Sequence, residues 1–112
     1  MERFNTLLRL VEFSDPVEQL AQMLKVYSWD YDGEPLVLTA SHVSSVLKRF
    51  LSDELSSEDL EGWANLIECR EDIEFEEDSY NEIDNVINCL ANPILQGDIT
   101  PHSCVKLLAT LE

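Results

Sequence analysis

Basic side chains are scarce in this chain. Seven Lys and Arg stand against 23 Asp and Glu, a formal net charge of −16 at neutral pH. A surface so short of cations repels phosphates, which argues against direct binding of nucleic acid. Glycine is scarce too: Gly33, Gly62 and Gly97 stand alone, so no glycine-rich loop is available to cradle a phosphate. No run approaches the roughly 20 apolar residues of a membrane span. At the N-terminus Arg9 and Glu12 interrupt the short apolar run that a signal peptide would require, so the expectation is a cytoplasmic protein. Cys69, Cys89 and Cys104 are odd in number and widely spaced, unlike a disulfide framework; small buried thiols in a reducing compartment are the expected reading.

What the chain does hold is acid, concentrated in one place. Residues 53–84 carry 14 carboxylates and a single base, Arg70, a net of −13. The flanking segments are close to balanced, at −2 over residues 1–52 and −1 over residues 85–112. The densest part, Glu71 to Asp84, has eight acids and no base. Like charges at that density repel one another and weaken the compact state, so a basic partner surface is the expected counterpart.

With 112 residues, 45% of them hydrophobic, the chain suits one domain with one core, residues 1–112. Helical spacing recurs along it. Phe4, Leu7, Leu8 and Val11 share one face. Asp15-Pro16 begins a second helix, with Asp15 placed to cap and Glu18 to complete a capping box; Val17, Leu20, Ala21 and Leu24 form its stripe. Trp29 to Pro35 reads as a loop, and Leu36-Val37-Leu38 as either a short extended piece or a lead-in to the core. Thr39 opens a third helix striped by Val43, Val46, Leu47, Phe50 and Leu51. Ser56, with Asp59, caps a fourth striped by Leu60, Trp63, Ala64 and Ile67. Ser79 and Glu82 form a capping-box pattern before Ile83, Val86, Ile87, Leu90 and Ala91. Asn92-Pro93 stops that helix, and Thr100-Pro101 starts a last one through Val105, Leu108 and Leu111. Six short helices with short connections and no convincing alternating strand predict an all-α bundle.

No catalytic constellation emerges. There is no nucleophile elbow and no paired-histidine zinc helix, and the carboxylates fall on solvent faces and loops where an unperturbed acid does no acid–base work. No enzyme activity, cofactor or metal is expected. His102, Cys104, Cys89 and Cys69 lack the short paired spacing of a zinc site. Asp30-x-Asp32-Gly33 has its glycine too early for a calcium loop, and Ser41 stands where that loop needs Glu. Asp78-Ser79-Tyr80 resembles the Asp-Ser-Leu attachment site of acyl carrier proteins, whose serine bears phosphopantetheine. Tyr80 replaces the leucine, however, and a cap at Ser79 accounts for the same residues.

Aromatic residues among acids are the more telling pattern. Trp63 lies on a helical stripe and belongs to the core, whereas Trp29, Tyr31, Phe75 and Tyr80 fall in or beside loops, among acids. Aromatic anchors ringed by charge are the composition of a binding hot spot. The expected partner-binding residues are therefore Glu71, Asp72, Glu74, Phe75, Glu76, Glu77, Asp78, Tyr80, Glu82 and Asp84. Trp29, Asp30, Tyr31, Asp32 and Glu34 form a secondary candidate surface.

Two stretches carry a family resemblance. Residues 55–73, LSSEDLEGWANLIECREDI, and residues 90–100, LANPILQGDIT, resemble immunity proteins of bacterial contact-dependent growth inhibition and polymorphic toxin systems. The resemblance implies a helical protein that neutralises the toxin domain of a cognate effector, with no toxin-contacting residue fixed by it. Charge points the same way, because a nuclease toxin needs a basic cleft to hold phosphates. The expectation is an inhibitor that occludes such a cleft. The alternatives are an acidic nucleic-acid mimic that inhibits or adapts another basic protein, and a carrier protein with Ser79 as its attachment site.

Overall fold

The computed structural model describes residues 3–27, 33–68 and 70–112. Among these, seven α-helices and one two-stranded sheet follow in the order α1 (Arg3–Glu12), α2 (Val17–Leu24), β1 (Leu36–Leu38), α3 (Ala40–Leu51), α4 (Ser57–Ile67), β2 (Ile73–Phe75), α5 (Tyr80–Ala91), α6 (Pro93–Gln96) and α7 (Pro101–Leu111). Helix dominates, as the periodicity predicts. Trp29, Asp30, Tyr31, Asp32 and Cys69 lie outside the described residues.

Three helices start where their local chemistry dictates. The side chains of Thr39, Ser56 and Thr100 each accept the backbone N–H three residues on, and His42, Asp59 and Ser103 return a bond to the capping residue's N–H. Each pair satisfies two donors that a helix N-terminus would otherwise leave open. Two other expected caps do not form. Ahead of α2 the capping position is Pro16, with no side-chain bond. Asp15 turns back instead and accepts from Arg9 Nη2 at 2.9 Å, because a full positive charge is a stronger partner than a backbone amide. Ahead of α5, a 3₁₀ turn at Glu77–Ser79 runs straight into the helix, and the Ser79 hydroxyl makes no cap bond.

Beside the helices lies one short β pair, in which Leu36–Leu38 takes the extended of the two forms its sequence left open. β1 and β2 are parallel, with Leu36 opposite Ile73, Val37 opposite Glu74 and Leu38 opposite Phe75. The ladder extends at both ends, through Leu36 N–H to the Asp72 carbonyl at 3.0 Å and Glu76 N–H to the Leu38 carbonyl at 2.9 Å. Three residues are too few to display alternation, and a parallel partner must be brought back by an intervening crossover. Here α3 and α4 form that crossover.

One connected cluster of buried apolar side chains draws on all the longer helices and both strands. Trp63 lies at its centre with no exposed surface. Its indole N–H donates to the Leu10 carbonyl at 2.6 Å, and its ring stacks on Phe13 with centroids 5.8 Å apart. Phe13 is held at φ 49°, where bulky residues are rare, and closes the end of α1 through Ser14 N–H to the Arg9 carbonyl. Arg49 covers the other side of that turn, donating to the Phe13 carbonyl at 3.0 Å. Helices α2 and α4 approach closely at Gly62, where a Cβ would stand 2.8 Å from Val17 Cγ1.

Two stripes turn away from their predicted setting. In α1 the buried face is Thr6, Leu7, Leu10 and Val11, and Phe4 is exposed. In α7 Cys104 is buried and Val105 exposed, so that face runs through Cys104, Leu107, Leu108 and Leu111. Both are terminal helices, and spacing alone leaves their rotation about the axis open by one residue.

Candidate functional site: an acid-rimmed groove

The acidic stretch begins at a buried ion cluster. Asp72 is fully buried and Arg70 nearly so. Arg70 donates from Nε to Asp72 Oδ1 at 2.8 Å and from Nη2 to Oδ2 at 2.9 Å, and Arg3 Nε reaches Oδ2 at 3.1 Å. A carboxylate enters a protein interior only with such partners, since an unpaired buried charge is prohibitive. Asp72 is therefore removed from the expected contact surface. It ties α1 to the segment leading into β2.

From that anchor the chain alternates. Ile73 points into the core and Glu74 outward, and Phe75 is half-buried. Glu76 also bonds within the fold. Its Oε1 accepts Ala40 N–H at 3.0 Å, at the N-terminus of α3, where backbone donors and the helix dipole favour a negative charge. Glu77 and Asp78 are exposed on the 3₁₀ turn. Tyr80 opens α5 about half exposed, its ring 5.6 Å from that of Phe75 at an interplanar angle of 47°. Such tilted aromatic pairs hold each other's orientation. Glu71, Glu74, Glu77, Asp78 and Asp84 are the exposed acids of the expected site, and Glu82 is half-buried.

A groove of about 610 Å³ gathers part of this set. Glu71, Glu74, Phe75, Tyr80 and Asp84 line it, together with Glu68 and Arg70. Ile67, Ile73 and Ile87 form its apolar floor. Glu76, Glu77, Asp78 and Glu82 are not among its walls, and Glu34 is exposed beside the lining residue Pro35. Sequence reasoning missed Glu68, Pro35 and Asn88. For Asn88 a signal existed: Tyr80, Asp84, Ile87 and Asn88 share one face of α5 by the i, i+4 rule. Glu68 ends α4 and reaches the groove only through tertiary packing.

The groove has polar walls and an apolar base, and among the described residues its lining includes no nucleophile set against a base. Among the described residues no three His, Cys, Asp or Glu side chains gather where a metal ion could be held. Cys104 is buried in α7, which pushes its thiol up to about 11, and burial also raises that of the half-buried Cys89. Neither lines the groove. Among the described residues no helix is long and apolar enough to cross a membrane.

Comparison with protein-family models, with curated proteins and with solved structures finds no match to this chain.

Proposed function

We propose that the protein is an immunity-type inhibitor, acting in the cytoplasm, that binds and neutralises a basic toxin domain without catalysis. A nuclease with a phosphate-holding cleft is the best-fitting target. The observation that carries this reading is the inward turn of Arg70. It is the one base among residues 53–84, and its guanidinium engages Asp72 inside the fold. The outward surface of the stretch is left with Asp53, Glu54, Glu58, Glu71, Glu74, Glu77, Asp78 and Asp84, and with no exposed cation of its own. Such a surface steers a basic partner at rates that reach roughly 10⁸–10⁹ M⁻¹s⁻¹ at low salt, and speed matters when a nuclease must be blocked before it cuts. Tyr80 and Phe75 supply the apolar area that slows dissociation once contact is made.

The test is co-expression with the product of the neighbouring gene, followed by pull-down and association kinetics. Glu74→Lys, Glu77→Lys and Asp78→Lys together should slow association, with a loss that shrinks as salt rises. A partner captured at unchanged rate and affinity by the triple variant would make this face merely a solvated surface.

A further inference from the structure

The groove's shape is independent of its charge, and it restricts what part of a partner can enter. Its volume, about 610 Å³, falls within the roughly 300–1,000 Å³ of clefts that hold a compact ligand, room for a side chain and its neighbours. Three features converge there. The floor is aliphatic, from Ile67, Ile73 and Ile87. One wall is the tilted Phe75–Tyr80 pair. The rim holds Glu68, Glu71, Glu74 and Asp84 against one guanidinium, that of Arg70, which is bonded to Asp72 beneath.

Resting on the inhibitor reading, we infer that this groove is the seat of one arginine side chain projecting from the basic partner. An arginine satisfies all three features. Its aliphatic stem covers the isoleucine floor, its planar guanidinium stacks on an aromatic face, and its paired N–H groups match a carboxylate. Lysine meets the first and the charge requirement but neither stacks as a plane nor donates in a fork. An anionic ligand is repelled by four rim carboxylates, and a purely apolar one strips water from the exposed carboxylates of Glu74 and Asp84 without replacing its hydrogen bonds.

The experiment is an NMR titration of the ¹⁵N-labelled full chain with a short blocked peptide, arginine at its centre and leucine and glycine on either side, alongside its citrulline twin. Citrulline keeps the shape and loses the charge. The arginine peptide should give saturable shifts centred on Ile73, Phe75, Tyr80, Asp84, Ile87 and Asn88. It should bind roughly tenfold more tightly than the citrulline peptide, the factor that 1.4 kcal/mol represents. Tyr80→Ala and Asp84→Asn should each weaken it, while Glu77→Gln, an acid outside the groove, should not. Tyr80 and Asp84 are exposed, so both variants should keep the dispersed spectrum of the folded chain. Equal affinity for the two peptides, shifts spread over the whole acidic surface, absence of saturation, or an equal loss in Glu77→Gln would each overturn the assignment. A captured partner that ignores Tyr80→Ala and Asp84→Asn but is lost on reversing Glu74, Glu77 and Asp78 removes the groove and leaves the inhibitor reading in place.

Discussion

Arg70 grips the carboxylate of Asp72, two residues further along the chain, with the Nε and Nη2 edge of its guanidinium, in bonds of 2.8 and 2.9 Å. The pair lies at the foot of β2, so it sets where the strand begins and which acids face outward. Arg3 adds a third contact from α1.

Asp72→Asn should therefore be strongly destabilising although it removes one of 23 acids from a repelling chain. Removing one partner leaves a buried guanidinium without its counterion, a loss of roughly 3–5 kcal/mol. Chemical denaturation would measure it. A stability equal to or above wild type would mean that relief of repulsion outweighs the buried pairing.

Two neighbouring glutamates should behave differently. Glu76→Gln weakens the bond to Ala40 N–H at the start of α3 and should lower stability by about 0.5–2 kcal/mol, the range for a helix cap. Glu74→Gln removes an outward charge and should leave stability unchanged or slightly raised. Thermal melts of the two variants side by side would separate them; equal effects would remove the distinction drawn here.

Gly62→Ala should destabilise by about 1–3 kcal/mol, because the added methyl meets Val17 Cγ1 at 2.8 Å and a β-branched side chain has no free rotamer to yield. Val17→Ala in the same chain should recover part of that loss. A double variant no better than the sum of the two single changes would show that the crowding lies elsewhere.

The two described cysteines should differ in reactivity, with half-buried Cys89 labelled by a thiol reagent before Cys104. Cys104 also predicts an alkaline limit. Its thiol stays protonated in the fold up to about 11, against 9.0 ordinarily. Between those values the unfolded chain has lost a proton that the folded chain keeps. Stability should fall as pH rises through that window and be unaffected by this group below it. Denaturation midpoints of wild type and Cys104→Ala, compared across the same pH range, should show the extra downward slope only in wild type.

Elements set by neighbouring residues were legible in the sequence. Thr39, Ser56 and Thr100 cap helices because each hydroxyl bonds an amide three residues away. The stripes of α4 and α5 are buried as read, since an amphipathic face this complete has one way to avoid water. Even the caps that failed did so through competitors the local pattern cannot weigh, the Arg9 guanidinium for Asp15 and the 3₁₀ turn before Tyr80.

By itself, then, the sequence determined a helical chain with its acid gathered in residues 53–84, because periodicity and charge are properties of the chain in order. Only the tertiary structure decided which acids face outward. Asp72 and Glu74 are alike to composition, yet one is enclosed by Arg3 and Arg70 while the other stands on the outer side of a strand. The parallel pairing of Leu36–Leu38 with Ile73–Phe75, and the groove where Glu68 meets Tyr80, depend on contacts between segments far apart in the chain. Those contacts form only when burial of the shared core outweighs the entropy of closing the intervening loops, and no local pattern records that balance.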